Sequence, residues 1–458
     1  MSKGNVEIVV EDLKTHPCCP HGPTILFSRH VKKSAEKFFA CSACRDRKFC
    51  NFFLPEEKRV SFKEEIWRQE IQKNLKGIHH RKMYLTLKKI LSSPPEKRRF
   101  CHTCLQLHEE TGKDLHNDHN VRIGLTDYQL GHPSELLPPL ENSKKEAQYL
   151  FSKSTVEVLV NILGSIGYRH IICIGAPRIH EYVQSKCENF TSILLDMDKR
   201  YHNFFGPLEF SWYNMFNNHF FFKESEDVFN DYLQTDGGKD MVLVTDPPFG
   251  GRTELLATTF TSVNQQYKNL NNIETDLPMF WIYPYFMEPQ ILNFMPNFSM
   301  LDFKVEYDNH PLFQKGPKGR KQGSPVRIFT NVQPSLVKLP KEDYKHCKFC
   351  DKWVAKENRH CKLCKACTSK NGVTYVHCSL CDRCVKPTWS HCGKCNRCAQ
   401  IDHKCVQLEF TKKCFNCEET GHKRVDCPKK EEVGAKKRKL KTRTKESKKR
   451  KMKAIVNS

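Results

Sequence analysis

The chain has 458 residues, 38% of them hydrophobic, and its 75 Lys or Arg against 52 Asp or Glu give a net charge of +23. So low an apolar share excludes a single continuous core, and the charge points to a polyanionic partner, nucleic acid before any other. No stretch approaches the roughly 20 apolar residues that span a bilayer, and MSKGNVEIVVEDLK lacks the apolar centre of a signal peptide. An intracellular protein without membrane partners is therefore expected, whose 24 Cys are not disulfides and whose clusters with His serve zinc, Cys173 and Cys187 standing apart as buried or incidental thiols.

Near the N-terminus, CPHGP (19–23) and FFACSACRDRKFCNFF (38–53) resemble a GRF-type zinc finger, placed at 16–55. The resemblance implies Cys19, His21, Cys41 and Cys50 as ligands, with Cys18 and Cys44 as spare thiols able to replace one of them. Phe38, Phe39, Phe52 and Phe53, interleaved with Arg45, Arg47 and Lys48, suit base stacking with phosphate contact, while two of the four rings are expected to fill the finger's own core. A helical basic connector, 56–98, leads to CHTCLQLHEETGKDLHNDH. There Cys101, Cys104, His116 and His119 approximate a structural Cys2His2 site over 99–121, with His102 or His108 as alternative ligands.

From 145 to 335 helix and strand patterns alternate. EAQYLFSKSTVEVLVNILGSIG (146–167) spaces Leu150, Val156, Leu159, Val160 and Leu163 along a helical face, and RHIICIGAPR (169–178) is an apolar run stopped by Gly-Ala-Pro. Further strands are predicted at 191–198, 239–249, 278–286, 302–310 and 325–332. Such alternation predicts an open α/β sheet with ligands beyond the carboxyl ends of its strands. Gly175 would admit backbone close to a ligand. Asp196, ending the second strand, has the placement of an acid that binds the two hydroxyls of a ribose.

The order strand-Gly, strand-Asp, strand-DPPF resembles the Rossmann-like class I methyltransferases. That resemblance implies S-adenosylmethionine, with its methionine near Gly175, Ala176, Pro177 and Arg178 and its ribose on Asp196. Its adenine is implied near SWYNMFNNHF (211–220), a loop where Asn214 and Asn217 stand in for the acid usual in such enzymes. It also implies that Asp246, Pro247, Pro248 and Phe249 form the motif of enzymes that methylate an amine conjugated to a π system. The Asp246 carboxyl and the Pro247 carbonyl would accept the amine's hydrogens, Phe249 would stack the base, and Gly250, Gly251 and Arg252 would meet the strand that carries it.

Beyond 346 the spacing repeats: HCKFC, HCKLCKAC, HCSLCDRC and HCGKCNRC begin at 346, 360, 377 and 391. An interlocked assignment uses every cysteine of 346–406. It joins Cys347, Cys350, His360 and Cys367; Cys361, Cys364, His377 and Cys384; Cys378, Cys381, His391 and Cys398; and Cys392, Cys395, His403 and Cys405. The repeat resembles the cysteine-rich region of DHHC palmitoyltransferases. That activity is rejected because Cys378 is used as a ligand and no spanning helix is present, and a scaffold that docks on the catalytic domain is expected instead. CFNCEETGHKRVDC supplies Cys414, Cys417, His422 and Cys427 of a CCHC zinc knuckle (412–429), which brings the expected zinc to about seven ions. A basic tail (430–458) follows and is expected to be disordered; residues 436–453 hold twelve Lys or Arg against one Glu.

Together these modules are similar to the CCHC-type zinc-finger rRNA adenine-N6 methyltransferases. The resemblance implies methyl transfer to N6 of an adenosine in a single-stranded or hairpin element of large-subunit rRNA, in the nucleolus and nucleus and also the cytoplasm. Ribosome-biogenesis factors or RNA helicases would be the partners. The residues alone also allow a DNA adenine or a protein glutamine as acceptor, or a non-catalytic RNA-binding protein. Oligomeric state is not legible.

Overall fold

The computed structural model describes residues 6–9, 13–31, 34–44, 47–58, 69–71, 73, 75, 77–109, 116, 118–140, 148–310, 312–313, 323–403 and 405. These fall into two compact bodies, one within 6–360 and 365–373, the other comprising 361–364 and 374–405. The knuckle and the basic tail lie outside the described residues.

In the first body a four-stranded antiparallel sheet comes first, β1 (Val6–Val9), β2 (Ile25–Val31), β3 (Ser34–Ala40) and β4 (Phe53–Pro55), in the order in which they occur. Within the connector lies a helix, α1 (His80–Leu91), which buries Leu87 and Ile90. The three-stranded sheet of β5 (Arg98–Cys101), β6 (Gln106–Glu109) and β7 (Val121–Ile123) follows.

The central α/β layer begins with α2 (Lys153–Ile166), capped by Ser152, whose hydroxyl accepts from Thr155 N, and closed by Gly167 at φ 112°. Val156, Leu159, Val160 and Leu163 are buried on its inner face, as their spacing predicts. The chain continues as β8 (His170–Ile174), α3 (Pro177–Lys186), β9 (Thr191–Asp196), β10 (Phe210–Asn214), β11 (His219–Phe220) and α4 (Lys223–Leu233). It then forms β12 (Met241–Thr245), α5 (Thr253–Asn271), β13 (Met279–Pro284), α6 (Glu288–Phe294), β14 (Ser299–Leu301) and β15 (Val326–Thr330). The eight strands lie in the order β11-β10-β9-β8-β12-β13-β15-β14. β8, β9, β10, β12 and β13 run parallel, and both faces of β8 and β12 are buried. Strand order reverses between β8 and β12, so their carboxyl ends open a crevice at the switch point.

Two expectations are corrected. SWYN (211–214) is not loop but the end of β10, buried throughout. Residues 302–310 do not form a strand of the sheet; Ser299–Leu301 takes the edge position, and Tyr307 makes only an isolated bridge with Phe151. The alternation in 302–310 reflects burial of Phe303, Val305 and Tyr307, while Val305 N reaches the Val326 carbonyl of β15 at 3.3 Å and the donors around it go elsewhere. Lys304 N donates to the Tyr344 hydroxyl, Glu306 N to Thr155 Oγ1, and Asp308 N to the Leu150 carbonyl.

Zinc-type modules are built onto this layer. Ile25 and Phe27 of β2 share a core with Tyr213, Met215 and Leu255. Phe100 of β5 packs on Phe204, with ring centroids 5.4 Å apart. The hairpin of β16 (Tyr344–Cys347) and β17 (Lys352–Ala355) is held through Asp302, whose Oδ2 accepts from Ala355 N at 2.9 Å and Asn358 Nδ2 at 2.8 Å. In the second body, β18 (Val376–Cys378) pairs with β19 (Arg383–Val385), and β20 (Trp389–Cys392) with β21 (Arg397–Gln400).

Gly22 sits at the tightest joint. Its φ is +92°, and a Cβ there would lie 2.3 Å from the His219 ring. Gly22→Ala should therefore cost about 1–3 kcal/mol and lower Tm by several degrees in calorimetry. An unchanged Tm would show that the finger is not seated through this contact.

Candidate active site

The crevice at the switch point holds a cavity of about 350 Å³. Gly175 follows β8 at φ +64°, where a Cβ would come within 2.8 Å of Met215 Cε and 3.2 Å of the Asp246 carbonyl. A glycine is needed there on both counts. Asp196, at the end of β9, is 8% exposed. Its Oδ1 accepts from Asp198 N at 2.8 Å, and burial, aided by the neighbouring Asp198, pushes its pKa up to about 7. Asp198 itself is held by the Arg200 guanidinium, at 2.6–3.1 Å.

The DPPF turn leaves β12 beside Gly175. Asp246 N donates to the Ile174 carbonyl at 3.2 Å, and Gly251 N donates back to the Pro248 carbonyl at 2.7 Å. The Tyr283 hydroxyl straps the turn by contacts with the carbonyls of Phe249 (3.3 Å) and Gly251 (2.9 Å). The Asp246 carboxyl is pushed well above the ordinary carboxylate range by burial, against which a hydrogen bond from Tyr307 works. Phe249 is half-buried among aromatic rings: Tyr149, Tyr307, Tyr283 and Phe313 lie 5.7, 5.9, 6.1 and 6.2 Å from it. A planar apolar ligand fits such surroundings.

The opposite wall is the N-terminal finger, which brings His21, Ser42, Cys44 and Phe49 to the cavity. Here two expected cofactor residues are corrected. Asn217 does not line the cavity; its Nδ2 donates to the carbonyls of His21 and Pro23. Asn214 does line it, but its Nδ2 is taken by the His21 carbonyl (2.7 Å) and Ser42 Oγ (3.1 Å). Both amides fasten the finger to the sheet, and Met215 and Phe216 line the cavity beside Asn214. Ala176, Pro177 and Arg178 also fall outside the cavity. Pro177 opens α3, and the helix turns Arg178 to the Phe151 carbonyl (2.6 Å), Asp308 and Ser134. Arg252 reaches the Val6 carbonyl at 3.3 Å and lies over the Phe27 ring, so it joins finger to turn rather than standing ready for phosphate.

Sequence reasoning missed Phe49, Tyr149, Tyr283 and Tyr307. The three tyrosines carry no local signal, because their partners are distant in the chain. Phe49 had one: an apolar ring between Lys48 and a zinc-type Cys, which is 45% exposed here. Of the four finger rings singled out, Phe39 and Phe52 are buried, Phe38 is half-buried, and Phe53 is exposed with the Arg47 guanidinium above it.

Cys19, His21, Cys41 and Cys50 converge, and so do Cys101, Cys104, His116 and His119; in each set the candidate ligand atoms all lie within 4.8 Å of one another. Cys44 touches the far nitrogen of His21, and His108 stacks on His116, so both sit beside the sets. Cys347, Cys350, His360 and Cys367 form a third set, which belongs to the first body. In the second body Cys361, Cys364, His377 and Cys384 converge, as do Cys378, Cys381, His391 and Cys398. Cys392 lies 3.5 Å from Cys405, and Cys395 3.5 Å from His403. The 3.7 Å Sγ–Sγ separations of Cys364–Cys384 and Cys381–Cys398 match the edge, about 3.8 Å, of a tetrahedron with zinc–sulfur bonds near 2.3 Å. The donor sets therefore fit zinc.

Residues 142–331 match the family described as "Probable N6-adenine methyltransferase", and 412–429 match the zinc knuckle. The chain is 44% identical to the rRNA N(6)-adenosine-methyltransferase ZCCHC4 of Homo sapiens over 90% of its own length and 82% of that protein. It is 46% identical to the Xenopus tropicalis protein of the same name, over 91% and 88%. The chain belongs to this rRNA N6-adenosine methyltransferase family. The family implies S-adenosylmethionine, and Gly175 with Asp196 forms a cradle that fits it: backbone approach at one end, a buried carboxyl at the other.

The raised Asp196 pKa has a stability consequence. A carboxyl whose folded pKa exceeds its unfolded value near 3.9 makes the fold progressively less stable as pH rises from about 4 to 7. Asp196→Asn should therefore leave Tm unchanged near pH 4 and raise it at pH 7.5, while weakening S-adenosylmethionine binding at least about tenfold. Scanning calorimetry and titration calorimetry check the two arms. A lower Tm at pH 7.5 would assign Asp196 to the scaffold.

Proposed function

We propose that the protein transfers a methyl group from S-adenosylmethionine to N6 of an adenosine in large-subunit rRNA, at an unpaired or hairpin element, with nucleolar and nuclear localisation and a cytoplasmic pool. The observation that carries this reading is the single cavity into which Gly175, Asp196, Asp246 and Phe249 all face. When bound, S-adenosylmethionine supplies an electrophilic methyl group.

The protein's own residues act on the nucleophile. The exocyclic amine of adenine shares its lone pair with the ring, so its hydrogens must be held to restore that pair to nitrogen. The Asp246 carboxylate and the Pro247 carbonyl are the acceptors. The two prolines stiffen the turn and offer no N–H to compete. Phe249 stacks a base taken out of its helix, and the surrounding tyrosines keep water away. The restored lone pair is then free for the methyl group that S-adenosylmethionine would supply, with its thioether as the leaving group. The amine nitrogen then sheds one proton to the Asp246 carboxylate and onward to solvent.

RNA beyond the target base would be held by Phe49 at the cavity wall, by the finger's exposed Phe53 and by the knuckle, whose Phe415 and Val425 would meet a base while its lysines would meet phosphate. About seven zinc ions would hold the small modules, and ribosome-biogenesis factors or RNA helicases are the proposed protein partners.

Asp246→Ala should abolish methyl transfer and leave RNA affinity within a fewfold. The check is incubation with labelled S-adenosylmethionine and total RNA, followed by nucleoside analysis. Label in N6-methyladenosine of large-subunit rRNA is expected; label in another nucleoside or another RNA, or label only when DNA or protein replaces the RNA, would refute the acceptor, and no label with any of them would favour a binding protein. Cys414→Ala should lower RNA methylation at least about tenfold through the lost zinc ligand without altering cofactor affinity. Unchanged methylation would remove the knuckle from substrate binding.

A further inference from the structure

Among the described residues, the hydrogen bond to the Asp246 carboxyl comes from Tyr307, whose hydroxyl donates to Oδ1 at 2.8 Å. Tyr307 is fully buried. Its ring is wedged between Phe151 at 5.3 Å and Phe249 at 5.9 Å. Its backbone is clamped on both sides: Ser152 N donates to the Glu306 carbonyl, Asp308 N to the Leu150 carbonyl, and Asn309 Oδ1 accepts from Leu150 N. The hydroxyl is therefore presented from a fixed position. Burial and the Tyr307 hydrogen bond act on the Asp246 carboxyl, and the other charged or titratable groups that line its cavity include His21, Cys44, Asp196, Asp198 and Arg252.

We propose that Tyr307 is a positioning residue for methyl transfer, which binds Oδ1 of Asp246 and so turns Oδ2, beside the Pro247 carbonyl, toward the amine of the target base. This rests on the reading of Asp246 as the amine's acceptor. The geometry also accounts for an acid at this position. A carboxylate has two accepting oxygens, one for Tyr307 and one for the amine. An amide has a single accepting atom, which Tyr307 would claim, leaving the amide NH2 to face the amine, donor against donor. A donor on Oδ1 further favours the charged carboxylate against its burial, which is the form that accepts from the amine.

The test uses the full-length protein and an rRNA substrate, with Tyr307→Phe, Asp246→Asn and the two combined. Tyr307→Phe keeps the ring and should keep the Tm. It should lower kcat about tenfold with KM for RNA and cofactor unchanged, and shift the acid limb of the pH–rate profile to higher pH. Carbon-13 NMR of labelled Asp carboxyls in the cofactor-free protein should show the same shift for Asp246. If Tyr307→Phe fails to fold, 3-fluorotyrosine at 307, a stronger donor of nearly the same shape, should move both titrations the other way. Asp246→Asn should lower kcat at least about 100-fold. The double variant, whose amide is free to rotate, should recover at least about fivefold over Asp246→Asn.

An unmoved pH limb and NMR titration, or a double variant no better than Asp246→Asn, overturns the role of Tyr307. Full activity of Asp246→Ala would instead overturn the acceptor reading on which it rests.

Discussion

Everything in the site depends on the pairing of β8 with β12. These parallel neighbours end together, so Asp246 N reaches the Ile174 carbonyl and the Asp246 carbonyl lies where a side chain on Gly175 would have been. One hydrogen bond and one missing Cβ thus set the Gly175 turn and the DPPF turn against each other. Strand order reverses at this pair, so no crossover helix covers the opening. Both strands are buried on both faces, which gives the two turns a rigid base.

A second layer of constraint comes from the N-terminal finger. It shares apolar core with β10 and α5 through Ile25 and Phe27, and the carbonyls of His21 and Pro23 are bound by the amides of Asn214 and Asn217. The finger therefore forms a wall of the catalytic cavity rather than a tethered accessory. Gly22 permits this closeness, and any side chain there would push the wall away from His219. The strap from Tyr283 and the wedge of Tyr307 hold the other side, so the DPPF turn is supported by residues from two separate segments.

Much of this was legible in the chain. The apolar runs ending at Gly175, Asp196 and Thr245 announced buried parallel strands, because only strands covered on both faces read as continuous apolar segments. The later metal-type sets were legible from spacing, since a tetrahedral ion demands ligands at short fixed intervals, while the first set came from the resemblance to a GRF finger. Other readings failed where side chains answer to distant partners. Asn214 and Asn217 look like polar residues offered to a ligand, yet their amides are spent on the finger. Arg178 follows the glycine turn closely in sequence, but helix geometry carries it to the outside. The alternating pattern of 302–310 imitates a strand because burial alternates there, while apart from Val305 N the described backbone donors bond to loops and side chains.

By itself, then, the sequence determined the catalytic sheet, the DPPF turn at the end of its strand and the grouping of the zinc-type ligands. All of these rest on local rules: periodicity, turn chemistry and ligand spacing act over a few to some tens of residues. Only the tertiary structure decided that the finger walls the cavity, that two asparagines are anchors, and that Tyr307 grips Asp246. Those are pairings between segments that meet only after the chain has folded, and a hydrogen bond formed across such a distance leaves no pattern in either segment alone.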